Sequence, residues 1–382
     1  MKRLYKFSTF ALLILTLLLA ACFSAPADVS TLTLPESKEA TYQETGSASQ
    51  HNNQIEPIRL SDLPTPDEIV VYFLDVGQAA AAFIICDGIT MLIDGGGASS
   101  SNLIYSFLYR HEIDHLDYII NTHPHEDHVG GLSGALNRVS SVGTVFGSAV
   151  EYDTRAFESF LKYLDEHDRN ITLPNPGDSF MLGSALVEIL APLRDYDDVN
   201  NNSLVLKVTY GEISFLFKGD VERASEIDMV ESGLDLSANV LKVSHHGSST
   251  STTYPFLREV MPEIAIISVG ANNQYGHPHD DTLSRLRDAD VRVYRTDLQG
   301  DIIIRSDGVN LIVETQRNAD ILTNPTDIDV YEITHTHIGN ARTKKFHTLN
   351  CNTLPDEQNR VHLESREHAI GDGFDPCGNC NP

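Results

Sequence analysis

Short apolar runs separated by turn residues recur along the chain from Ile69 to about residue 315. Runs of this length that stop at Gly, Asp or Asn are typical of buried β-strands. Helical patterns stand between several of them, and two pairs of runs form hairpins that turn at Gly211–Glu212 and Asp307–Gly308. Hairpins mixed with helical crossovers favour an α/β fold with two mixed sheets packed together and helices outside, rather than a purely parallel sheet. The predicted strands are IVVYFLDVG, AAFIICDG, ITMLIDGGG, LDYIINT, GTVFG, ALVEILAP, ANVLKVS and EIAIISVG, and the predicted helices cover residues 101–111, 157–167 and 282–289.

A separate apolar run lies at the N-terminus, where it follows the basic residues Lys2, Arg3 and Lys6. A basic start before an apolar run over residues 7–21 predicts a secretory signal segment. Its end, LAAC, resembles a bacterial lipoprotein signal, in which Cys22 is lipidated and becomes the mature N-terminus. An uncleaved anchor is the alternative. Both interpretations predict an exported protein attached to the extracytoplasmic face of a bacterial membrane.

Composition divides the chain into five segments. Residues 1–22 form the predicted signal with its lipidation site, and residues 23–66 are rich in Ser, Thr, Glu, Gln and Pro, as in a flexible tether. Residues 67–315 hold the pattern of strands and helices, residues 316–330 form a polar linker, and residues 331–382 form a separate module. A module of that size rarely folds without a disulfide or a metal ion.

Charge limits the partners that the protein could bind unaided. The 382 residues carry a formal net charge of −27, and 41% of them are hydrophobic. The hydrophobic content predicts a sizeable core, whereas the acidic charge argues against nucleic-acid binding driven by Lys and Arg. A polyanionic substrate remains compatible with this charge if bound metal cations supply positive charge locally. No feature of the sequence indicates a protein partner.

The stretch THPHEDHVGG places four metal-ligand side chains within six positions: His123, His125, Asp127 and His128. The preceding strand ends just before His123, so His123 and His125 project to the same side of extended backbone. We expect Asp127 and His128 in the turn that opens the next helix, with the glycine pair at 130–131 allowing close backbone approach. Imidazole and carboxylate are ligands for Zn²⁺ or Mn²⁺. The stretch therefore predicts a metal site.

Further acids and histidines end other predicted strands. Asp94 follows the strand ITMLI, Asp220 ends FLFKGD, and His245 and His246 follow LKVS. Each stands where an apolar strand stops, so these strand ends are expected to converge on one edge of the sandwich. A turn or a helix cap would explain Asp94 or Asp220 alone. Together with the histidine cluster, however, they predict a dinuclear centre.

These motifs resemble the metallo-β-lactamase superfamily over about residues 67–314. In detail they are similar to the extracellular hydrolase domain of the ComEC competence proteins and its free-standing relatives. The motifs that carry this resemblance are FLDVGQ, IDGGG, THPHEDHVGGL, NNSLVLKV, FKGD, HHGSSTS, ISVGANNQYGHP and RTDLQGDI. The resemblance implies an αββα fold and a hydrolase that uses two divalent cations, Zn²⁺ or Mn²⁺, on phosphodiesters, with DNA as the expected substrate.

The resemblance also implies which residues hold the two cations. The implied ligands are His123 and His125 for one cation, Asp127 and His128 for the other, and Asp220 as the bridge between them. Two such cations would lower the pKa of a shared water molecule and give a hydroxide that attacks phosphorus in line.

The remaining motif residues receive roles around this centre. One of His245 and His246 would complete the second metal site while the other faces the substrate phosphate, and the resemblance does not say which. Asp94 would support the histidine cluster from behind. The implied catalytic groups are Asp127, Asp220, His245 and His246.

Two departures from the family pattern bear on activity. The general superfamily has a further metal-binding His before the bridging Asp, where this chain has YDDVNNNSLVL. That absence is usual in the ComEC-like branch, weakens the first metal site and argues against β-lactam hydrolysis. The branch also usually carries an Asp two residues after VGQ, where this chain has Ala80. Ala80 leaves the strength of catalysis open.

The function predicted from these observations is that of an extracellular metal-dependent phosphodiesterase, foremost a nuclease acting on DNA. A phosphodiesterase acting on cell-wall phosphodiesters or phosphorylcholine is the first alternative. A catalytically weak, surface nucleic-acid-binding lipoprotein is the second, because of Ala80 and the missing His.

The C-terminal module carries its own set of soft ligands, in the pairs His347-x3-Cys351 and Cys377-x2-Cys380. Two short-spaced pairs are typical of a closed tetrahedral Zn²⁺ site. A Cys377–Cys380 disulfide is the rival interpretation. The module resembles the small Ada-type metal-binding domain, but its first ligand is His347 instead of a Cys. This departure implies a binding or positioning role and not the nucleophilic chemistry of the DNA-repair form.

Some other residues receive structural predictions. Cys86 is expected to be buried in a strand as a small hydrophobe. His111 and His115 are expected on the surface, and His335 and His337 are expected in a strand and not as ligands. His277, in GHPH, either lines the cleft or has a structural role in a turn.

Overall fold

The computed structural model describes residues 67–324, 337–363 and 365–382. The predicted signal segment with Cys22, the tether 23–66, His335 and part of the linker 316–330 lie outside the described residues. In the described parts of the chain, no helix combines the length and the apolar character needed to cross a bilayer.

The first described part, residues 67–324, contains fifteen strands and eight helices. The strands are β1 (Ile69–Phe73), β2 (Ala82–Cys86), β3 (Ile89–Ile93), β4 (His115–Asn121), β5 (Ser141–Gly147), β6 (Ile171–Thr172), β7 (Ser179–Leu182), β8 (Ala185–Ala191), β9 (Val205–Tyr210), β10 (Ile213–Phe217), β11 (Val240–Lys242), β12 (Ile264–Ile267), β13 (Arg292–Arg295), β14 (Ile302–Ser306) and β15 (Leu311–Thr315). The helices are α1 (Ser101–Arg110), α2 (Glu126–Val129), α3 (Leu132–Arg138), α4 (Arg155–Glu166), α5 (Arg223–Ser232), α6 (Tyr254–Val260), α7 (Asp280–Asp288) and α8 (Thr296–Gln299).

These strands form two mixed sheets. One sheet has the order β15-β14-β1-β2-β3-β4-β5-β6 and the other has the order β13-β12-β11-β10-β9-β8-β7. In both sheets, antiparallel hairpins adjoin strands that run parallel, such as β3 and β4 in the first sheet and β10 and β11 in the second. The mixed-sheet prediction is therefore confirmed.

Three apolar layers explain why the strands read as nearly continuous apolar runs. In β1, Ile69, Val71 and Phe73 pack into the layer between the sheets, while Val70 and Tyr72 face a second layer against α1, α3 and α4. A third layer lies between the other sheet and helices that include α5 and α6. Because successive side chains of a strand point to opposite faces, a strand covered on both faces needs apolar residues throughout. The result is the predicted αββα sandwich.

Most predicted elements are confirmed, and the differences lie where the hydrophobic pattern is weak. The sequence prediction omitted the short strands β6, β7 and β13 and the helices α5 and α6. Cys86 is fully buried in β2, as expected. The surface prediction for His111 is wrong, because His111 is only 5% exposed and packs its ring 4.4 Å from that of Phe107. His115 is exposed, as predicted.

The C-terminal residues form a separate small sheet. Its strands are β16 (His337–Asn340), β17 (Lys345–Thr348), β18 (Arg360–Leu363) and β19 (Asp375–Pro376), in the order β18-β16-β17-β19, with one helix, α9 (Arg366–Gly371). The buried apolar cluster of this sheet consists of Phe346, Leu363, Ala369 and Phe374. So few buried side chains make a small core for an independent fold.

Candidate metal centre

The histidine cluster sits at the end of β4, an interior strand of the first sheet. His123 is fully buried, and α2 begins one residue after His125. His123 Nε2 lies 3.1 Å from His125 Nδ1, and the ring centroids of His123 and His128 are 4.1 Å apart. A side chain on Gly130 would collide with backbone, because its Cβ would lie 2.3 Å from Ala98 N. The close backbone approach that we expected at the glycine pair 130–131 is therefore present in the structure.

Asp220 comes from the other sheet and meets this cluster. It follows β10 and is only 2% exposed, with Oδ1 3.2 Å from His128 Nε2 and Oδ2 3.9 Å from His123 Nε2. Its backbone N–H donates to Ser203 Oγ at 3.2 Å. Gly219 has a positive φ, and a Cβ there would lie 2.8 Å from Thr122 Oγ1. Asp220 is therefore positioned by a turn that only glycine fits without strain.

The structure distinguishes the two adjacent histidines. His246 is buried, and its Nε2 lies 3.2 Å from Asp127 Oδ2 and 3.6 Å from Asp220 Oδ2. Its Nδ1 is 2.9 Å from the carbonyl oxygen of Ser268, which fixes the ring. His245 turns away, with Nδ1 3.0 Å from Glu222 Oε1. Both residues have left-handed backbone angles, and this reversal points the two rings to different partners.

Four ligand atoms converge as a result. One atom each from Asp127, His128, Asp220 and His246 lies within 4.8 Å of all the others. His123 and His125 adjoin this group through the contacts given above, whereas His245 stays outside it.

Asp94 lies behind the cluster and holds His128. It ends β3 in a left-handed conformation, and Oδ2 is 2.7 Å from His128 Nδ1. Thr122 donates to the same carboxylate from its backbone N–H at 2.8 Å and from its hydroxyl at 2.7 Å. A carboxylate bound to one ring nitrogen leaves the other nitrogen aimed at the cluster. This geometry corresponds to the supporting role that the family resemblance implies.

Burial and charge oppose each other at these groups. Burial disfavours the charged form of His128, but the carboxylates of Asp220 and Asp94 outweigh it and raise the pKa of His128 well above its ordinary value. Burial likewise disfavours ionised Asp220, yet His128 and His246 hold the pKa of Asp220 well below its usual range. For His123, burial and then the charge of His128 lower the pKa well below the ordinary value. The centre therefore contains ionised carboxylates and a neutral imidazole, which a cation can share.

An open cleft of about 630 Å³ leads to the cluster. Besides predicted site residues, it is lined by residues that the sequence interpretation did not single out. These are Gln78, Glu126, Tyr152, Thr154, Asn200, Gln274 and Tyr275. His277, whose role was left open, also lines the cleft, and burial followed by the neighbouring histidines lowers its pKa to about 4. Several of them lie in motifs quoted in the sequence analysis: Gln78 in FLDVGQ, Glu126 in THPHEDHVGGL, Asn200 in YDDVNNNSLVL, and Gln274 and Tyr275 in ISVGANNQYGHP.

Asn200 lies in the stretch where the general superfamily has a further histidine. Its Oδ1 is buried and has no hydrogen-bond partner among the described residues. The neighbouring Asn201 instead accepts backbone N–H groups of Glu222 and Ser225 at 3.2 and 3.1 Å. One asparagine thus faces the cleft while the other fixes the loop that follows Asp220.

A second ligand cluster lies in the small C-terminal sheet. Ligand atoms of His347, Cys351, Cys377 and Cys380 all lie within 4.8 Å of one another. His347 Nδ1 is 3.4 Å from Cys351 Sγ, and the described cysteines form no disulfide. The N–H of Asn379 and the hydroxyl of Thr353 lower the pKa of Cys377 to about 7. Three thiols and one imidazole match the donor set of a tetrahedral Zn²⁺ site.

The donor chemistry of the sandwich cluster fits divalent cations. Its imidazole and carboxylate groups converge, and Asp127 is half-buried while His128, Asp220 and His246 are buried. The cluster opens to a cleft on one side, which is the pattern of a metal site that keeps a position for substrate or water. A fold of two mixed sheets with such a centre at the strand ends defines a metal-dependent hydrolase fold.

The chain belongs to the metallo-beta-lactamase superfamily, whose sequence model matches residues 74–271. It is 31% identical over 254 residues to ComE operon protein 3 of Bacillus subtilis, a match that covers 62% of this chain and 33% of that protein. It is 29% identical over 237 residues to competence protein ComA of Neisseria gonorrhoeae, covering 61% and 32%. The chain thus spans about a third of the length of these relatives. The metallo-beta-lactamase fold protein YhfI of Bacillus subtilis is 14% identical with a TM-score of 0.43, covering 63% of this chain and all of that one.

Proposed function

We propose that this protein is a metal-dependent phosphodiesterase, and foremost a nuclease that hydrolyses DNA outside the cytoplasm. The observation that carries the proposal is the convergence of Asp127, His128, Asp220 and His246 at the end of an open cleft. The similarity to ComE operon protein 3 and to competence protein ComA supports DNA as the substrate. Two bound cations would supply positive charge to the phosphoryl oxygens and a water of lowered pKa.

The chain's own residues have distinct tasks in this proposal. His123, His125, Asp127, His128, Asp220 and His246 hold the cations. His245 lines the cleft without joining the cluster, so it is free to face a substrate phosphate while Glu222 orients its ring. Asn200 also lines the cleft, and its carboxamide oxygen is buried without a hydrogen-bond partner among the described residues. Our choice between the two adjacent histidines is therefore His246 as ligand and His245 as substrate contact.

A second candidate is a phosphodiesterase for cell-wall phosphodiesters or phosphorylcholine. The cleft favours it in one respect, because its lining contains Glu126, Tyr152 and Tyr275 and no Lys or Arg. Aromatic rings with nearby carboxylates recognise quaternary ammonium groups. DNA remains the first choice because relatives that match 62% and 61% of this chain are a ComE operon protein and a competence protein.

Membrane attachment through lipid on Cys22 is part of the proposal. A leader of the lipoprotein type supports it, and a tether over residues 23–66 would hold the hydrolase away from the bilayer. The Ada-like module with one structural Zn²⁺ would then serve as a binding or positioning unit.

The test uses soluble protein that begins after Cys22, supplied with Mn²⁺ or Zn²⁺ and incubated with single- and double-stranded DNA. Cleavage by this protein, absent from the Asp220→Asn variant, is the expected result. Hydrolysis of bis-p-nitrophenyl phosphate without DNA cleavage would favour the cell-wall substrate. If metal binds and neither substrate is hydrolysed, the protein is a binding protein and the proposal fails.

A further inference from the structure

Three aromatic rings run from the metal cluster to the rim of the cleft in nearly parallel planes. The rings of His246 and His277 have an interplanar angle of 20° at a centroid distance of 6.4 Å. Those of His277 and Tyr275 have an angle of 25° at 5.7 Å. His246 is buried in the cluster, whereas Tyr275 is 59% exposed. We call these three residues the ring row.

The loop that carries Tyr275 and His277 is held in place by its own polar contacts. Asn273 Oδ1 accepts the backbone N–H groups of Tyr275 at 3.1 Å and His277 at 3.0 Å. Asn273 Nδ2 donates to the carbonyls of Gly270 and His277. His279 Nδ1 accepts the N–H of Ser249 at 3.0 Å, which ties the loop to the segment after His246. The backbone of Tyr275 is therefore held in place, and its ring faces solvent.

The cleft has few other means of gripping a nucleic acid. Among the described residues that line it there is no Lys or Arg, and Glu126 adds negative charge. Proteins that hold duplex DNA or long single strands do so largely through Lys and Arg contacts to successive phosphates. Stacking of bases on aromatic side chains is the main alternative source of affinity, and it needs an unpaired base.

We propose that Tyr275 is a specificity-determining residue that stacks an unpaired nucleobase next to the scissile phosphate. The substrate class is then a strand end or short single-stranded segment instead of intact duplex. This inference rests on the proposed phosphodiesterase function and narrows its substrate. The ring row sets the distance between the stacked base and the metal cluster.

The test compares two esters with the same leaving group in Mn²⁺-loaded protein: thymidine 5′-(p-nitrophenyl phosphate), which has a base, and methyl p-nitrophenyl phosphate, which has none. A stacked base strengthens binding about tenfold. The Tyr275→Ala variant should therefore reduce the KM discrimination between the two esters about tenfold. Tyr275→Phe should retain it, since the ring remains. Tyr109→Ala removes an equally exposed tyrosine on α1, outside the cleft lining, and should leave discrimination unaltered.

A binding measurement gives a second readout that needs no turnover. With metal-loaded protein and a short labelled phosphorothioate oligothymidylate, which resists hydrolysis, the anisotropy should report a Kd that rises about tenfold in Tyr275→Ala and not in Tyr109→Ala. The plot of log Kd against log salt concentration should also be shallow, because few phosphates meet a cation.

Three outcomes would overturn the inference. One is an equal loss for both esters, and another is tighter binding of duplex than of oligothymidylate. The third is a larger effect of Tyr275→Ala on p-nitrophenylphosphorylcholine, which would assign Tyr275 to an aromatic cage for choline. In each case hydrolysis of either ester still supports the proposed function. If neither ester is hydrolysed the function fails, and the oligothymidylate measurement alone decides the role of Tyr275.

Discussion

The two ligand clusters of this protein differ in what surrounds them. The cluster of Asp127, His128, Asp220 and His246 lies at the edge of a sandwich with three large apolar layers. The cluster of His347 and three cysteines lies in a small sheet whose apolar cluster, among the described residues, comprises Phe346, Leu363, Ala369 and Phe374. A large core can position metal ligands before the metal arrives, whereas a small core depends on the metal for its fold. We therefore expect metal to serve chemistry in the sandwich and folding in the module.

Metal removal is expected to have the largest effect, and it tests the difference between the two clusters directly. Structural Zn²⁺ contributes about 10–16 kcal/mol to the folding of zinc-finger peptides. Chelation, or the variant His347→Ala, should expose the amides of residues 337–382 to hydrogen exchange while those of the sandwich stay protected. His246→Ala serves as the matched variant, since it removes a ligand from the other cluster and should unfold neither part. Protected amides in a metal-free module would contradict the comparison.

The next effect concerns what holds the sandwich without metal. Lys218 and Glu226 are fully buried and form an ion pair, and Glu226 also accepts the backbone N–H groups of Thr252 and Thr253. Lys218→Met leaves a buried carboxylate uncompensated and should lower the free energy of unfolding by about 3–5 kcal/mol in urea.

Two controls sharpen that measurement. Lys162→Met removes an exposed partner of Glu166 and should cost at most about 0.5 kcal/mol. The double variant Lys218→Met/Glu226→Gln should recover part of the loss, because it removes both charges. No recovery would mean that Glu226 stabilises the fold mainly through its backbone contacts.

A smaller effect is expected for Asp94→Asn, which should lower metal affinity in the sandwich without unfolding it. In Asp94→Asn the partner of His128 Nδ1 loses its charge, so metal affinity should fall about 10- to 100-fold. The measurement is Mn²⁺ titration calorimetry, with thermal unfolding of the metal-free protein in parallel. Asp87→Asn changes an exposed Asp in the turn between β2 and β3 and should leave affinity unchanged. A variant that unfolds without metal would make Asp94 a folding residue instead.

The smallest effect addresses Ala80, where the related branch has an Asp. A cavity of about 20 Å³ lies beside Ala80, and Asp94 and the buried Lys242 also line it. Ala80→Asp would fill it and face the Lys242 ammonium, so we expect about 1 kcal/mol of added stability. The neutral isostere Ala80→Asn should give less. Loss of stability in Ala80→Asp would show that repulsion from Asp94 exceeds the attraction to Lys242.

Many features of this protein could be predicted from local sequence patterns, and particular elements show the physical reason. The apolar run of β1 identified a strand buried on both faces, because both sets of alternating side chains had to be apolar. The motif from His123 to His128 predicted a metal site, because its residues are neighbours in the chain whatever the rest does. The structure groups two of them, Asp127 and His128, with Asp220 and His246. The short strand β7 and the helix α5 escaped prediction, since half-exposed elements have weak patterns.

Relations between distant residues needed the tertiary structure. The sequence placed His245 and His246 at a strand end, but only their left-handed backbone turn sent His246 to Asp127 and His245 to Glu222. It gave no sign that Tyr275 would lie in line with two histidine rings, because that alignment depends on contacts between Asn273 and the loop around it. A metal site could be predicted from the sequence where its residues are neighbours in the chain. The packing of two sheets against each other decided which distant groups share a site.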